Sequence, residues 1–249
     1  MSELQHPNSR SFERVADVYE RSRPMYPAAA VAWVAERLDL RPGRTVLDLA
    51  AGTGKLTRSL VETGARVIAV EPGDAMRAML VERVPSVEAL RGAAEAIPLA
   101  DDSVDAVAVG QGFHGFRHEE AVPELHRVLR PGGGVALLWN TRDADEPVHR
   151  AIGRLISELV PARAPHGRDS TRHLPESGLF GPIEQCRFPF IQELDADGLV
   201  ARIASVSIVA AAPVEARVAL ERKLRELVAA SGGSVTFPYV TEVYVSRAL

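Results

Sequence analysis

Short runs of β-type residues alternate with helical patterns through the first half of the chain, and this alternation constrains the fold more than any other feature. The runs are Thr45–Leu49, Ala65–Val70, Val87–Arg91, Val104–Val109 and Gly134–Trp139. Between them, Lys55–Thr63, Asp74–Arg83 and Glu119–Leu129 carry apolar residues at the spacing of one helix face. Strands that are apolar nearly throughout belong to a parallel sheet covered on both faces. Strand–helix alternation then implies right-handed crossovers, which gather the C-terminal ends of the strands at one edge, where ligands bind. The sequence predicts an α/β fold: a Rossmann-like, doubly wound sheet with helices on both faces.

The pattern changes after Trp139. Residues 147–160 read as an added helix, and "PARAPHGRDSTRH" (161–173) as a loop. A strand over Ile183–Leu194, helices near 196–205 and 214–230, and a last β run over Val235–Val245 follow. The two late runs are expected to pair antiparallel at one sheet edge. That completes a seven-stranded sheet, mostly parallel with an antiparallel last strand. The chain reads as a single domain over 1–249. It has an N-terminal arm (1–26) and an insertion after the fifth strand (142–205) that is placed as a lid. The arm carries Phe12, Tyr19, Arg21, Arg23 and Tyr26, and ends in Pro27 at a first helical turn.

Composition removes several classes of function. With 249 residues, 46% hydrophobic and 25% charged, the chain can bury a large core. A net charge of −4 and a pI near 6.0 give no bulk basic character, so a nucleic-acid partner is not expected. The single cysteine, Cys186, excludes an internal disulfide, a cysteine-rich zinc site and a dithiol redox pair. It is read as a structural thiol, and no metal is expected. "MSELQHPNSRSFERV" lacks the apolar core of a signal peptide, and the longest mostly apolar stretch, Ile203–Val214, is too short to span a bilayer. A cytoplasmic monomer or homodimer with no membrane partner is the expectation.

The stretch "VLDLAAGTGKLTRSL" (46–60) reads as strand, tight turn, helix, with small residues crowded into the turn. Three nucleotide chemistries use such a turn. The phosphate-binding loop fails: the position five before Gly54 is Leu49, and Leu56 follows Lys55 where a hydroxyl should hold magnesium. The dinucleotide fingerprint matches at Gly52 and Gly54 but meets Thr57 at its third glycine. The third chemistry is S-adenosyl-L-methionine (SAM), which wants an acid ending the first strand and then small residues at alternate positions. Asp48, Ala50, Gly52 and Gly54 fit that frame. The SAM α-amino group makes Asp48 useful, where a diphosphate would be repelled. The second strand ends "VIAVEP", and Glu71 at its carboxyl end can accept both ribose hydroxyls. NAD sites use the same device, so Glu71 alone does not separate the cofactors. A solvated strand-end acid is the bland alternative.

Taken in order, "VLDLAAGTGKLT", "VIAVEPGDAM", "GAAEAIPLADDSVDAVAVGQGFH" and "ELHRVLRPGGGVALLWN" resemble the class I SAM-dependent methyltransferases, in the small-molecule branch of the methyltransferase-11 type. The resemblance covers roughly residues 12–141 by motif and the rest by element order. "FERVADVYERSRPMYP" is similar to the start of this branch, including the trans-aconitate methyltransferase type. The resemblance implies that Asp48 and the backbone of Ala50–Gly52, with Gly54 in the same turn, hold the methionine end. Glu71 would take the ribose, Pro72 and Met76 would pack near the adenine, and the Ala94 and Glu95 backbone would meet its edge. Gln111 would lie beside the methyl group. Tyr19 and Arg23 would close over the methionine carboxylate, with a plain surface role as the equal alternative. Ala93 departs from the pattern, standing where many relatives carry an acid for the adenine amino group. Adenine recognition would then rest on backbone contacts.

The implied reaction moves a methyl group from SAM to O, N or C of a small-molecule acceptor by in-line displacement, leaving S-adenosyl-L-homocysteine (SAH). An NAD-dependent oxidoreductase is the rival enzyme, with Thr57 and Asp48 against it. A SAM-binding protein without methyl transfer is the non-enzyme rival. His114, in "GQGFHGF", is the side chain to test as a general base; a role in shaping the pocket competes with it. Phe113 and Phe116 are expected to line the pocket, because the glycines around them make this a loop. The loop at 161–173 sets Arg163, His166, Arg168, Arg172 and His173 against Asp169 alone. It reads as a solvated loop, with attraction of an acidic acceptor as the competing reading.

Overall fold

The computed structural model describes residues 23–142, 146–159 and 168–249. Pro27 sits at the cap, with extended ψ, rather than inside the first turn; helix α1 runs Ala28–Leu38. Then come β1 (Thr45–Leu49), α2 (Lys55–Val61), β2 (Arg66–Val70), α3 (Asp74–Arg83), β3 (Glu88–Leu90) and β4 (Val104–Gly110). A 3-10 turn over Phe113–Gly115 leads into α4 (His118–Val128), β5 (Leu129–Arg142) and α5 (Pro147–Leu159). The last third holds a 3-10 turn (Arg168–Arg172), α6 (His173–Glu176), β6 (Glu184–Leu194), α7 (Ala196–Ala204), α8 (Ser207–Ala210), α9 (Val214–Ala230) and β7 (Val235–Arg247).

All seven strands form one sheet in the order β3-β2-β1-β4-β5-β7-β6. β1 pairs in parallel with β2 and β4, β2 with β3, and β4 with β5. β7 runs antiparallel between β5 and β6. The Rossmann-like, mostly parallel sheet with an antiparallel last strand is therefore the fold. β6, inside the stretch read as an insertion, is the outer strand of that sheet. Part of the stretch read as the loop 161–173 is helical, over 168–173. The arm before Arg23, with Tyr19, and residues 160–167 lie outside the described residues.

The strand period of two explains the layers. Leu47 and Leu49 of β1 join Val107, Val109, Leu125 and Leu137 on one face. Val46 joins Val31, Val34, Leu56 and Leu60 on the other. A third apolar cluster lies where β7 begins: Phe237 and Tyr239 pack with Ile152 of α5, Leu199 and Ile203 of α7, and Leu220 and Leu224 of α9. No helix among the described residues is long and apolar enough to cross a membrane.

Candidate active site

The C-terminal ends of β1 and β4 are neighbours in the sheet, and the chain leaves both in the same unusual way. Ala50 has φ 57° and Gln111 φ 64°. Both are left-handed conformations, costing a residue with a β-carbon roughly 1–2 kcal/mol. Strain of this kind persists where the surroundings over-determine it, commonly at ligand sites. Both residues line one cavity at this edge. Gly52 (φ 58°) and Gly54 (φ 85°) continue the turn. A β-carbon at Gly52 would meet only the Met76 sulfur, at 3.8 Å, so the positive φ, not protein packing, demands glycine there. Gly54 packs on Leu80.

Asp48 forms part of the cavity floor and is fully buried. Its Oδ2 accepts the Thr57 hydroxyl at 2.6 Å. Its Oδ1 is buried with no hydrogen-bond partner. Burial drives its pKa up to about 7, against the Thr57 hydrogen bond and with help from the Glu71 charge. A buried carboxyl with one oxygen left over is a ready acceptor for a cationic or N–H donor. Thr57 counts against a dinucleotide site; its positive duty, fixing this carboxyl, emerges only in three dimensions.

Glu71 is buried at the end of β2. Its Oε2 accepts the Gly52 amide and its Oε1 the Gly73 amide, both at 2.8 Å. The two bonds fix the plane of the carboxylate. Met76 lies buried beneath the glycine turn, and Pro72 is partly buried beside it. Ala94 is buried, while the Glu95 side chain accepts the Arg117 amide at 2.9 Å, capping α4. Gln111 donates from Nε2 to the Asn140 carbonyl at 3.3 Å.

The roof comes from elsewhere in the chain. Arg23 lines the cavity and donates to Ser205, from Nε to Oγ at 3.1 Å and from Nη2 to the carbonyl at 2.9 Å. Tyr26 packs its hydroxyl against the α-carbon of Gly110, where no β-carbon would fit. Asn140 and Arg202 complete the lining. Neither is among the residues singled out in the sequence. Asn140 follows directly on the fifth apolar run, at the ligand edge of the sheet. Arg202 sits among buried Leu199 and Ile203 on one helix face, a charge on an apolar stripe.

The loop after β4 departs from expectation. Phe113 does not line the cavity; it is fully buried in the core, edge-to-face with Phe116 at 5.6 Å and under the His118 ring at 4.8 Å. The 3-10 turn folds the chain back, so Phe113 points inward. His114 is exposed and is not among the residues lining the cavity. No cluster of three or more potential metal ligands occurs among the described residues.

A doubly wound sheet carrying a buried acid and a glycine turn after its first strand, and a buried acid after its second, defines the class I SAM-dependent methyltransferases. The profile of the family described as "Methyltransferase domain" matches residues 47–137. An uncharacterized methyltransferase of Mycobacterium tuberculosis is 39% identical over 238 residues, covering 94% of this chain and 93% of that protein. An uncharacterized methyltransferase of Schizosaccharomyces pombe is 32% identical over 244 residues, covering 96% and 97%. Among solved structures, one from Anaeromyxobacter dehalogenans, provisionally assigned as a type II methyltransferase, superposes with a TM-score of 0.67. It is 25% identical and covers 91% of this chain and 97% of its own. The fold is also shared, at 15% identity and a TM-score of 0.59, by the [4+2]-cyclase SpnF. The chain belongs to the methyltransferase family, and that membership sets the NAD-dependent alternative aside.

Proposed function

We propose that the cavity at the β1–β4 edge binds SAM and transfers its methyl group to O, N or C of a small-molecule acceptor. The observation that carries the reading is Asp48: a buried carboxyl with one unpartnered oxygen, beside two left-handed non-glycine residues. These residues fit the cofactor. Asp48 Oδ1 is an acceptor for the α-amino group. The Glu71 carboxylate, set by two backbone amides, is an acceptor for the ribose hydroxyls. Ala50, Gly52 and Gly54 keep the turn free of bulk; Met76 and Pro72 give an apolar seat for the adenine, and the Ala94 and Glu95 backbone its edge contacts. Arg23 is the candidate partner of the cofactor carboxylate, together with Tyr19.

When bound, SAM supplies a methyl group on a positively charged sulfur that is already a good leaving group. The chain's own task is then alignment and exclusion of water. Gln111, held by Asn140, presents its strained backbone at the cavity wall. Tyr26 on Gly110 and Arg23 on Ser205 close the wall towards the arm. A proton acceptor is needed only for an acceptor that arrives protonated. His114 is the candidate the sequence offers, although it is exposed and does not line the cavity. The small-molecule branch rests on the sequence resemblance, and an acidic acceptor on the argument that follows.

Calorimetry with SAM, SAH and NAD, followed by transfer of labelled methyl to candidate acceptors, tests the reading. Micromolar SAM and SAH binding without NAD binding is expected. NAD binding without SAM would overturn it. SAM binding without transfer to any acceptor would make the chain a SAM-dependent binding protein, as the sharing of this fold with a cyclase illustrates.

A further inference from the structure

Among the described residues no carboxylate answers the charge of Arg202. It lies on the buried face of α7 and is only 3% exposed. A guanidinium stays protonated in any protein environment, so a buried one needs a counter-charge or a full set of acceptors. Nε donates to the Tyr239 hydroxyl at 2.5 Å. The guanidinium carbon stands 5.6 Å from the Tyr239 ring centre and 6.0 Å from that of Phe237, a weak cation–π contact. Nη1 is buried and has no hydrogen-bond partner. Arg202 forms no ion pair among the described residues, and it lines the same cavity as Asp48 and Ala50.

A second guanidinium lies close by. Arg142 ends β5, opposite Tyr239 in the strand register. Burial and the positive charge of Arg202 both lower its pKa. It too forms no ion pair among the described residues. His149, against Phe237 at 4.3 Å, is held by the Pro238 carbonyl at 2.7 Å. Burial, with help from the charges of Arg142 and Arg202, lowers its pKa, so its ring stays neutral and adds no further positive charge. Glu146 acts electrostatically on His149 and pairs with neither arginine. Among the described residues, two guanidiniums without ion pairs, Arg202 and Arg142, therefore stand together at this end of β7, and Arg202 lines the cavity.

We propose that the methyl acceptor carries an oxyanion, a carboxylate or a phosphate, and that Arg202 binds it through Nη1 while Arg142 adds positive potential behind it. The inference rests on the methyl-transfer reading of the cavity. The cofactor's own carboxylate is the competing occupant; Arg23, which lines the same cavity, is the other candidate to receive it.

The test uses the full chain saturated with SAH, titrated calorimetrically with citrate, with glycerol 3-phosphate and with glycerol as the uncharged control. One oxyanion is expected to bind and glycerol is not; which one binds identifies carboxylate or phosphate. Arg202→Met should weaken that oxyanion at least tenfold while leaving SAH affinity within twofold. Should Arg202→Met fail to fold, Arg202→Lys, which keeps the charge but not the planar fork, should still weaken the oxyanion at least threefold. The proposal is overturned if neither oxyanion binds the wild-type SAH complex, or if the Arg202 variants weaken SAH as much as the oxyanion. Failure of the wild type to bind SAH at all would instead remove the cofactor reading on which it rests.

Discussion

The Gly52 amide donates to the Glu71 carboxylate at 2.8 Å, and this bond ties the end of β2 to the turn after β1. Glu71 therefore has two duties: it holds the turn and offers acceptors to a ribose. Glu71→Ala would confound them by leaving the Gly52 and Gly73 amides unpaired. Glu71→Gln keeps the shape and part of the bonding. Charge-assisted hydrogen bonds are worth about 1.5–3 kcal/mol each, so SAM affinity should fall at least roughly tenfold in Glu71→Gln. A folded Glu71→Gln with unchanged SAM affinity would remove Glu71 from the site.

Asp48 makes both stability and binding depend on pH. Its pKa is about 7 in the folded protein and near 3.8 in an unfolded chain. The folded state thus holds a proton that the unfolded state releases between those values. The stabilisation from protonated Asp48 is complete below about pH 4 and is lost as pH rises through about 7. Its full span is on the order of 4 kcal/mol. Asp48→Asn should flatten that part of the denaturation profile. SAM affinity should run the other way, rising through pH 7 as the carboxylate forms to meet the α-amino group. A SAM affinity that is flat from pH 6 to 8 in the wild type would argue against that contact.

Tyr26 and Gly110 make a paired prediction. A β-carbon at Gly110 would collide with the Tyr26 hydroxyl. Gly110→Ala should destabilise the protein by about 1–3 kcal/mol through overpacking. Tyr26→Phe removes the colliding oxygen, so the double variant should recover part of the loss. Additive effects in a double-mutant cycle would show that the two residues do not share that space.

The tie between Arg23 and Ser205 bears on closure of the cavity. Arg23→Ala should speed amide exchange over 196–206, and SAH should slow it in the wild type. If SAH leaves that exchange unchanged, the segment after β5 is not acting as a lid.

His114 is exposed on its turn, which sets its test apart from the others. His114→Ala is expected to keep the maximal rate within about threefold, because the side chain does not line the cavity, whereas loss of a general base typically costs 10²–10⁴-fold. A loss of that larger size, together with loss of the acidic limb of the pH–rate profile, would make His114 the base.

The parallel half of the sheet was legible because its strands are covered on both faces and so read as unbroken apolar runs. β5 was legible only from Gly134, since the "RPGG" before it carries breakers, yet the strand begins at Leu129. The acids at the strand ends were legible by position. Phe113 was not: glycines on both sides mark a loop, but do not tell which way a 3-10 turn aims its ring. Thr57 could be weighed only as a missing glycine, because its hydroxyl meets Asp48 through folding. Arg202 left a trace, a charge on an apolar helix stripe, but its destination depends on contacts with a strand far along the chain.

Because β7 turns back between β5 and β6, β6 runs in the same direction as β5, and α7 starts at the same edge where β1 and β4 end. The cavity is thus assembled from two stretches of chain far apart in sequence. Its floor, from Asp48 to Gln111, is written in a compact grammar of small residues and left-handed backbone. Its far wall hangs from an outer strand and a helix that brings in Arg202. Such an arrangement is modular: the far wall can drift, be exchanged or be redesigned to greet a different guest, while the floor goes on receiving the same one.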